Sequence, residues 1–534
     1  GAHVHTLNFF GNQDDNHYNR TDTRQTHAMI GHGGSFVYGD KTGTITITAG
    51  NGLNFRGGDR REGSVDNNAG YVNFAQIGHG GYQSWRQYRV NNTTPGLPAT
   101  GSASDDWNLP FIWDGTQYVF DGTGQYFWST DNSINAATGQ GNPLYDGFSG
   151  NVNVTATGGN ISFTSGTGMG TFAKIGHGGV ETAGDHNGEI TVRALAGDIN
   201  FSANRIEETG SSSTASNAFV QIGHGGGYSS GEQSGTITVS ASGKVDFKAG
   251  RSDDFAMIGH GGRESHSTVN GQVSGSTTYR RSTNQLLSAN TIYRPGTRSG
   301  NINVNAGGDI ALVGGNQNGD RAFVQIGHGG YNIHANPDPN SQFGDGHNGD
   351  INVISTGGAI LLKGGQGSYA HAQIGHGGTQ SFGNHGGDGT DNRLDSDIVV
   401  EALTGIDVLA SGRFLTNTTA ANSAQIGHGG RQSSFRDLED IDANLYGKLQ
   451  PYTGYTNPQT GQVNVDNAGL HPLTPFLNNT NTNGLEGLGV GPRATLGTFK
   501  GDITVRTTGA GADIRFMAPN EAEGTLGIVG SESY

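Results

Sequence analysis

The chain has 534 residues, a net charge of −16, 95 glycines, 13 prolines and no cysteine. The acidic balance argues against nucleic acid and anionic membrane surfaces as partners, and the absence of cysteine removes disulfides and thiolate metal sites. No apolar run reads as a transmembrane helix or signal peptide, and without a Gly-X-Y period the glycine content does not signal collagen.

In chain order, short alternating runs recur: Thr42-Gly-Thr-Ile-Thr-Ile-Thr-Ala-Gly50, Ser149-Gly-Asn-Val-Asn-Val-Thr-Ala156, Asn187-Gly-Glu-Ile-Thr-Val-Arg-Ala194 and Ser234-Gly-Thr-Ile-Thr-Val-Ser-Ala241. Ser299-Gly-Asn-Ile-Asn-Val-Asn-Ala306, Asn348-Gly-Asp-Ile-Asn-Val-Ile-Ser355, Ser396–Ala402 and Gly501–Arg506 continue the series. A period of two with β-branched residues predicts strands, and no stretch shows helical spacing. A second strand follows across a glycine bend, as in Gly52–Phe55, Gly159–Phe163 and Gly308–Leu312.

The third strand of each unit runs into the pentapeptide Ile-Gly-His-Gly-Gly. It occurs eight times, with its histidine at His32, His79, His177, His224, His260, His328, His376 and His428. The gaps between successive histidines run from 36 to 98 residues, as expected of a stacked repeat stretched by insertions. The fold class predicted is all-β: a single-stranded parallel β-helix, or β-solenoid, with about nine coils and three strands per coil. Coils about 4.8 Å apart make a rod about 43 Å long, and residues 1–534 read as one continuous solenoid. The ninth coil is expected to carry a decayed motif, Leu526–Gly530, with Ile528 in the histidine's place.

Alternation in the third strand predicts Ala75 and Ile77 inward, Gln76 outward and His79 inward. The eight histidines are therefore expected to form a structural column at one corner, neutral at pH 7 because imidazolium charges so close would repel. The alternative is a column of metal or haem ligands, since histidine is the commonest metal ligand. No second ligand recurs at a fixed offset, and a closed zinc site needs four.

The long insertions 82–148, 263–298 and 431–499 all begin just after a motif copy, so in-register coils would release them from one corner, the usual binding side of a solenoid. Segment 82–148 holds every tryptophan: Trp85, Trp107, Trp113 and Trp128. These are candidate contact aromatics for a subunit or a glycan, weighed against a small private core. Phe111–Phe120, with Asp-Gly near its middle, predicts a hairpin. The acidic groups Asp105-Asp106, Asp253-Asp254 and Asp437–Asp442 are expected to be solvated loops, with incidental calcium binding as the one cofactor considered. His186 and His347 read as turn residues.

No nucleophile elbow, P-loop or dinucleotide fingerprint is present, so the chain is expected not to be an enzyme. A carbohydrate-active β-helix enzyme or glycan-binding protein is the alternative. The chain begins at glycine and is expected to be processed or a fragment. The repeat Ser-Gly-x-Ile-x-Val-x-Ala-x-Gly-x-Ile-x-Phe resembles the haemagglutinin-type repeats of filamentous haemagglutinin-like bacterial adhesins, from about Thr42 to Phe516. That resemblance implies a right-handed β-helix on the surface of, or secreted by, a Gram-negative-type bacterium, serving attachment or fibre building. Open sheet edges at either end of the rod would pair with another chain, so self-association into a filament is expected, with a glycan or host-surface ligand as a further candidate partner and, from the lack of an apolar run, no membrane insertion. The Ile-Gly-His-Gly-Gly corner departs from the pattern of that family.

Overall fold

The computed structural model describes residues 6–10, 26–35, 37, 40–58, 72–82, 84, 147–166, 168–182, 184–203, 217–229, 231–263, 298–315, 319–334, 346–382, 385–386, 396–411, 422–430 and 500–519. It also describes the backbone of short strands within 112–126, 269–293, 455–464 and 526–530. Among these residues there is no helix, and five parallel sheets run the length of a β-solenoid.

The coil that starts at Lys41 serves as the template. Its five strands are Lys41–Thr42, Ile45–Ala49, Leu53–Arg56, Phe74–Ile77 and Gly80–Tyr82. The three strands predicted per coil are all present, and two very short ones complete the turn. One is the Gly-Gly-x end of the motif, and the other precedes the alternating run. Register is strict: Val152, Val154 and Ala156 pair with Ile45, Ile47 and Ala49 below and with Ile190, Val192 and Ala194 above. Like therefore stacks on like, and the inward aliphatics of the second, third and fourth strands merge into one continuous core.

Nine coils stack in the sheet of third strands, from Leu7–Phe10 to Asp513–Pro519. The expected ninth motif copy is corrected here. Leu526–Gly530 runs antiparallel to Asp513–Pro519 at the end of that sheet, so Ile528 does not occupy a histidine position. The alternation of the motif strand also needs correction. Gln76 points away from the main core yet is fully buried, as are Lys174, Gln221, Met257 and Gln325 at equivalent rungs. A second, narrower core lies behind this strand. It is built on a column of stacked rings, Phe74, Phe172, Phe219, Phe255 and Phe323, spaced 4.6–5.1 Å apart. The sequence pattern conceals it because both faces of the strand are covered.

The glycines of the motif are required by how closely the coils approach. Gly78 has φ of +149°, and a Cβ there would stand 2.0 Å from the carbonyl oxygen of Gly176 in the next coil. Only glycine allows that approach. Gly227 differs: a Cβ would meet its nearest neighbours, Phe219 and Val180, at 3.8 Å. Gly78→Ala should therefore lower the unfolding free energy by about 2–4 kcal/mol, whereas Gly227→Ala should cost under about 1 kcal/mol. Urea denaturation of both variants checks the contrast, and equal losses would contradict the packing described.

Candidate functional site: the histidine column and the buried corner

The eight motif histidines stack face to face along one inner corner. Ring centroids of successive coils lie 4.7–5.0 Å apart with interplanar angles of 1–9°. From His79 to His376 the residues are buried to within about 1% exposure.

From His79 to His428 both ring nitrogens are engaged. The backbone N–H of His32 donates to Nδ1 of His79 at 2.9 Å, and that of His79 donates to Nδ1 of His177 at 3.0 Å. The same bond repeats coil by coil up to His376 N–H on Nδ1 of His428 at 3.1 Å. On the other side Nε2 meets a carbonyl at the bend between the first and second strands. The partners are Gly43 for His79 (2.9 Å), Gly150 for His177 (2.7 Å) and Gly188 for His224 (2.8 Å). His260, His328, His376 and His428 meet Gly235, Gly300, Gly349 and Ser396 in the same way.

This arrangement fixes the tautomer. Nδ1 must present its lone pair to an N–H, and Nε2 must carry the proton it donates to a carbonyl. A ring so held has no lone pair left for a metal, and protonating Nδ1 would set two donors against each other. Among the described residues, moreover, no group of three histidine or acidic side chains comes together to hold a metal ion. The geometry thus favours a structural column over a row of ligands.

Glutamines clamp the same corner from behind. Gln76 Nε2 donates to the carbonyls of Gly176 (3.0 Å) and Gly178 (2.8 Å), the two glycines flanking His177. Gln221, Gln325 and Gln373 do the same to the next coil. At these four rungs the carbonyls that the glycine corner turns out of the sheet ladder are thereby met by a side chain of a neighbouring coil.

A second polar column, which sequence reasoning missed, follows the first strands. Lys41, Phe148, His186, Gln233, Arg298 and His347 stack in register, nearly or completely buried, and His385 adds a bridge at the top. His186 and His347 are therefore strand residues, not the turn residues expected. Their two-residue strands are too short for a period-two signal. Asp253 and Asp254 are also corrected: both are buried. Asp253 pairs with Arg263 at 2.9 Å and with Arg321, while Asp254 accepts the backbone N–H groups of Arg251 and Ala218.

The segments between Tyr82 and Phe148 and between Arg263 and Arg298 join the fifth strand of one coil to the first strand of the next, whereas 431–499 follows the bridge at Gly429 and precedes a second strand, Ile503–Thr507; their interiors are sparsely described. Trp85, Trp107 and Trp128 lie outside the described residues, as do Asp105, Asp106 and the acidic run 437–442. Trp113 falls in the predicted hairpin, where Ile112–Trp113 pairs antiparallel with Tyr118–Val119. Gln125–Tyr126 pairs with Gly271 and Gln272 of the second long insertion, so two insertions leaving different coils share a small sheet. Connections between third and fourth strands also vary in length, from the short Lys248-to-Phe255 link to the long Arg56-to-Phe74 one. This is a second exit point that the sequence reading passed over.

The chain matches no family model, no curated protein and no solved structure.

The column dictates a pH response. Burial, the largest cause, lowers the imidazole pKa of His177 and His260 to about 3, and holds His224, His328 and His376 well below their usual range. Imidazoles of the same column add to the shift at four of these five and His186 adds to it at His260, so the charge repulsion expected from sequence is present but secondary. Unfolded histidine, near pH 6.5, binds the proton that the folded ring refuses. The stabilisation is thus complete above about pH 6.5 and is lost as pH falls toward 3, by roughly 1.4 kcal/mol per pH unit for each such ring. Melting curves should be flat above pH 7 and fall steeply below pH 6, and a flat profile down to pH 4.5 would contradict the burial. Long-range proton–nitrogen NMR at pH 7.5 should report Nε2–H tautomers for the column, with no shift on adding zinc.

Proposed function

We propose that this chain is the rod of an extracellular or cell-surface fibre or adhesin, of the filamentous haemagglutinin-like kind that its repeats resemble. The solenoid is the scaffold, and its insertions make the subunit or ligand contacts. One observation carries this reading: the motif that recurs most is consumed in holding coil to coil. From His79 to His428 both imidazole nitrogens are spent on neighbouring backbone, as is Nε2 of the clamping glutamines, which leaves the corner little chemistry to offer a substrate. Specific recognition then belongs to the segments outside the coil, and these share one junction and carry the tryptophans. The buried acids support a non-enzymatic reading, since Asp253 and Asp254 serve arginines and backbone. An export route in a Gram-negative-type bacterium and assembly into filaments belong to the same proposal.

A second reading, glycan binding, is favoured by a small cavity of about 150 Å³ on the flank of the rod. It opens where Gly227 leaves its rung without a side chain between Val180 and Arg263. Phe255, Glu181, Asn217 and Tyr228 also line it. An apolar floor with a few converging polar groups is the usual make-up of a small-ligand site.

Electron microscopy and sedimentation of purified protein, beside a variant with residues 83–146 replaced by a short glycine–serine linker, test the proposal. Filaments or oligomers in the parent that the variant loses, with its circular dichroism unchanged, are the expected result. Monomers in both, together with no binding on a glycan array, would remove the adhesive reading. Glycan binding abolished by Gly227→Val but retained on loss of the insertion would favour the second.

A further inference from the structure

Lys174 is out of place in its column. The outward position of the motif strand is filled by Gln76, Gln221, Gln325, Gln373 and Gln425, or by Met29 and Met257, and Lys174 is the one amine among them. Its side chain is fully buried behind the strand. A glutamine there would bond the next coil's glycines with no charge to desolvate, so the lysine breaks a local rule without gain to packing.

Its surroundings suggest what the amine is for. Nζ lies 2.6 Å from Oε1 of Gln221 and 2.5 Å from the carbonyl of Gly223, both in the next coil. The Gln221 carboxamide is held in one orientation because its Nε2 donates to the carbonyls of Gly259 (3.0 Å) and Gly261 (3.1 Å) one coil further on. The carbonyl end therefore faces the lysine and the amino end faces away. Nζ therefore lies within hydrogen-bond distance of the oxygen of the amide it would attack, and reaching Cδ requires the amine to turn from that oxygen toward the carbon. Burial alone holds the amine well below its usual pKa, which favours the neutral, nucleophilic form.

We propose that Lys174 and Gln221 are joined by an intramolecular isopeptide bond that ties adjacent coils covalently. The Nζ lone pair attacks Cδ of Gln221, the Cδ–Nε2 bond breaks, and one Nζ proton passes to the departing nitrogen. Ammonia leaves and a secondary amide remains, with no oxidant, reductant or other reactant consumed. The glycine carbonyls that hold Nε2 hold the leaving group. The remaining N–H can still donate to Gly223, while the bonds from Nε2 to Gly259 and Gly261 are given up with the ammonia. In a chain without cysteine, this is a cross-link that a reducing environment cannot undo.

Mass spectrometry decides it. The intact protein is expected to weigh about 17 Da less than its sequence, the mass of one ammonia, and protease digestion should yield a branched peptide joining Lys174 to Gln221. Lys174→Gln and Gln221→Met each place in the column a side chain it already accepts at other rungs, so both should fold and show the full, unbranched mass. Their melting temperatures should fall below that of the parent. An intact mass equal to the sequence, with Lys174 and Gln221 recovered on separate unmodified peptides from folded protein, would overturn the proposal and leave a hydrogen-bonded pair.

Discussion

The bond from a histidine N–H to the imidazole Nδ1 one coil away is the constraint on which this architecture depends. A parallel coil must turn sharply several times per circuit, and at each bend peptide groups swing out of the sheet ladder. Buried, each would cost a few kcal/mol unmet. The Gly-His-Gly corner answers this with side chains from neighbouring coils: imidazole accepts the N–H and returns its own proton to a carbonyl, and in four coils glutamine covers the two flanking carbonyls. Because donor and acceptor lie on successive coils, the arrangement only works as a repeat. This is the physical reason for eight near-identical pentapeptides.

That economy has consequences for charge. A column of imidazoles sealed from water works only while neutral, so the rod is tied to pH values above the histidine range. The second polar column adds His186, His347 and His385, whose pKa values burial also lowers. Acid would therefore act on two corners of the coil at once. Both responses would have one cause, the desolvation of the stacked rings.

The close approach of backbones makes glycine indispensable at the corner, whereas elsewhere the coil tolerates variety. Phenylalanine, leucine and valine alternate as stacked interior residues at the third strand, from Phe55 through Leu312 to Val408. Long segments leave between coils without disturbing register, since Gly80 and Gly178 remain paired across an insertion of more than sixty residues. A scaffold whose stability is local to each pair of coils can carry such additions. The proposed isopeptide bond would fasten two coils near the first of these additions.

Much of the fold was legible in the chain itself. Period-two alternation named the strands, and the spacing of the pentapeptide named the repeat. Ile77 and His79 on one side of the motif strand implied a column. What the sequence could not disclose was whatever depends on a partner from another coil. Gln76 reads as a surface residue until a fifth strand covers it. His186 lies in a strand of two residues, too short to register as a pattern. Asp253 looks solvated until Arg263 and Arg321 close over it. Leu526–Gly530 mimics a motif copy, and only strand direction shows that it runs the other way. Local periodicity is written residue by residue, but burial, tautomer and pairing arise between segments tens of residues apart, and tertiary structure alone brings those together.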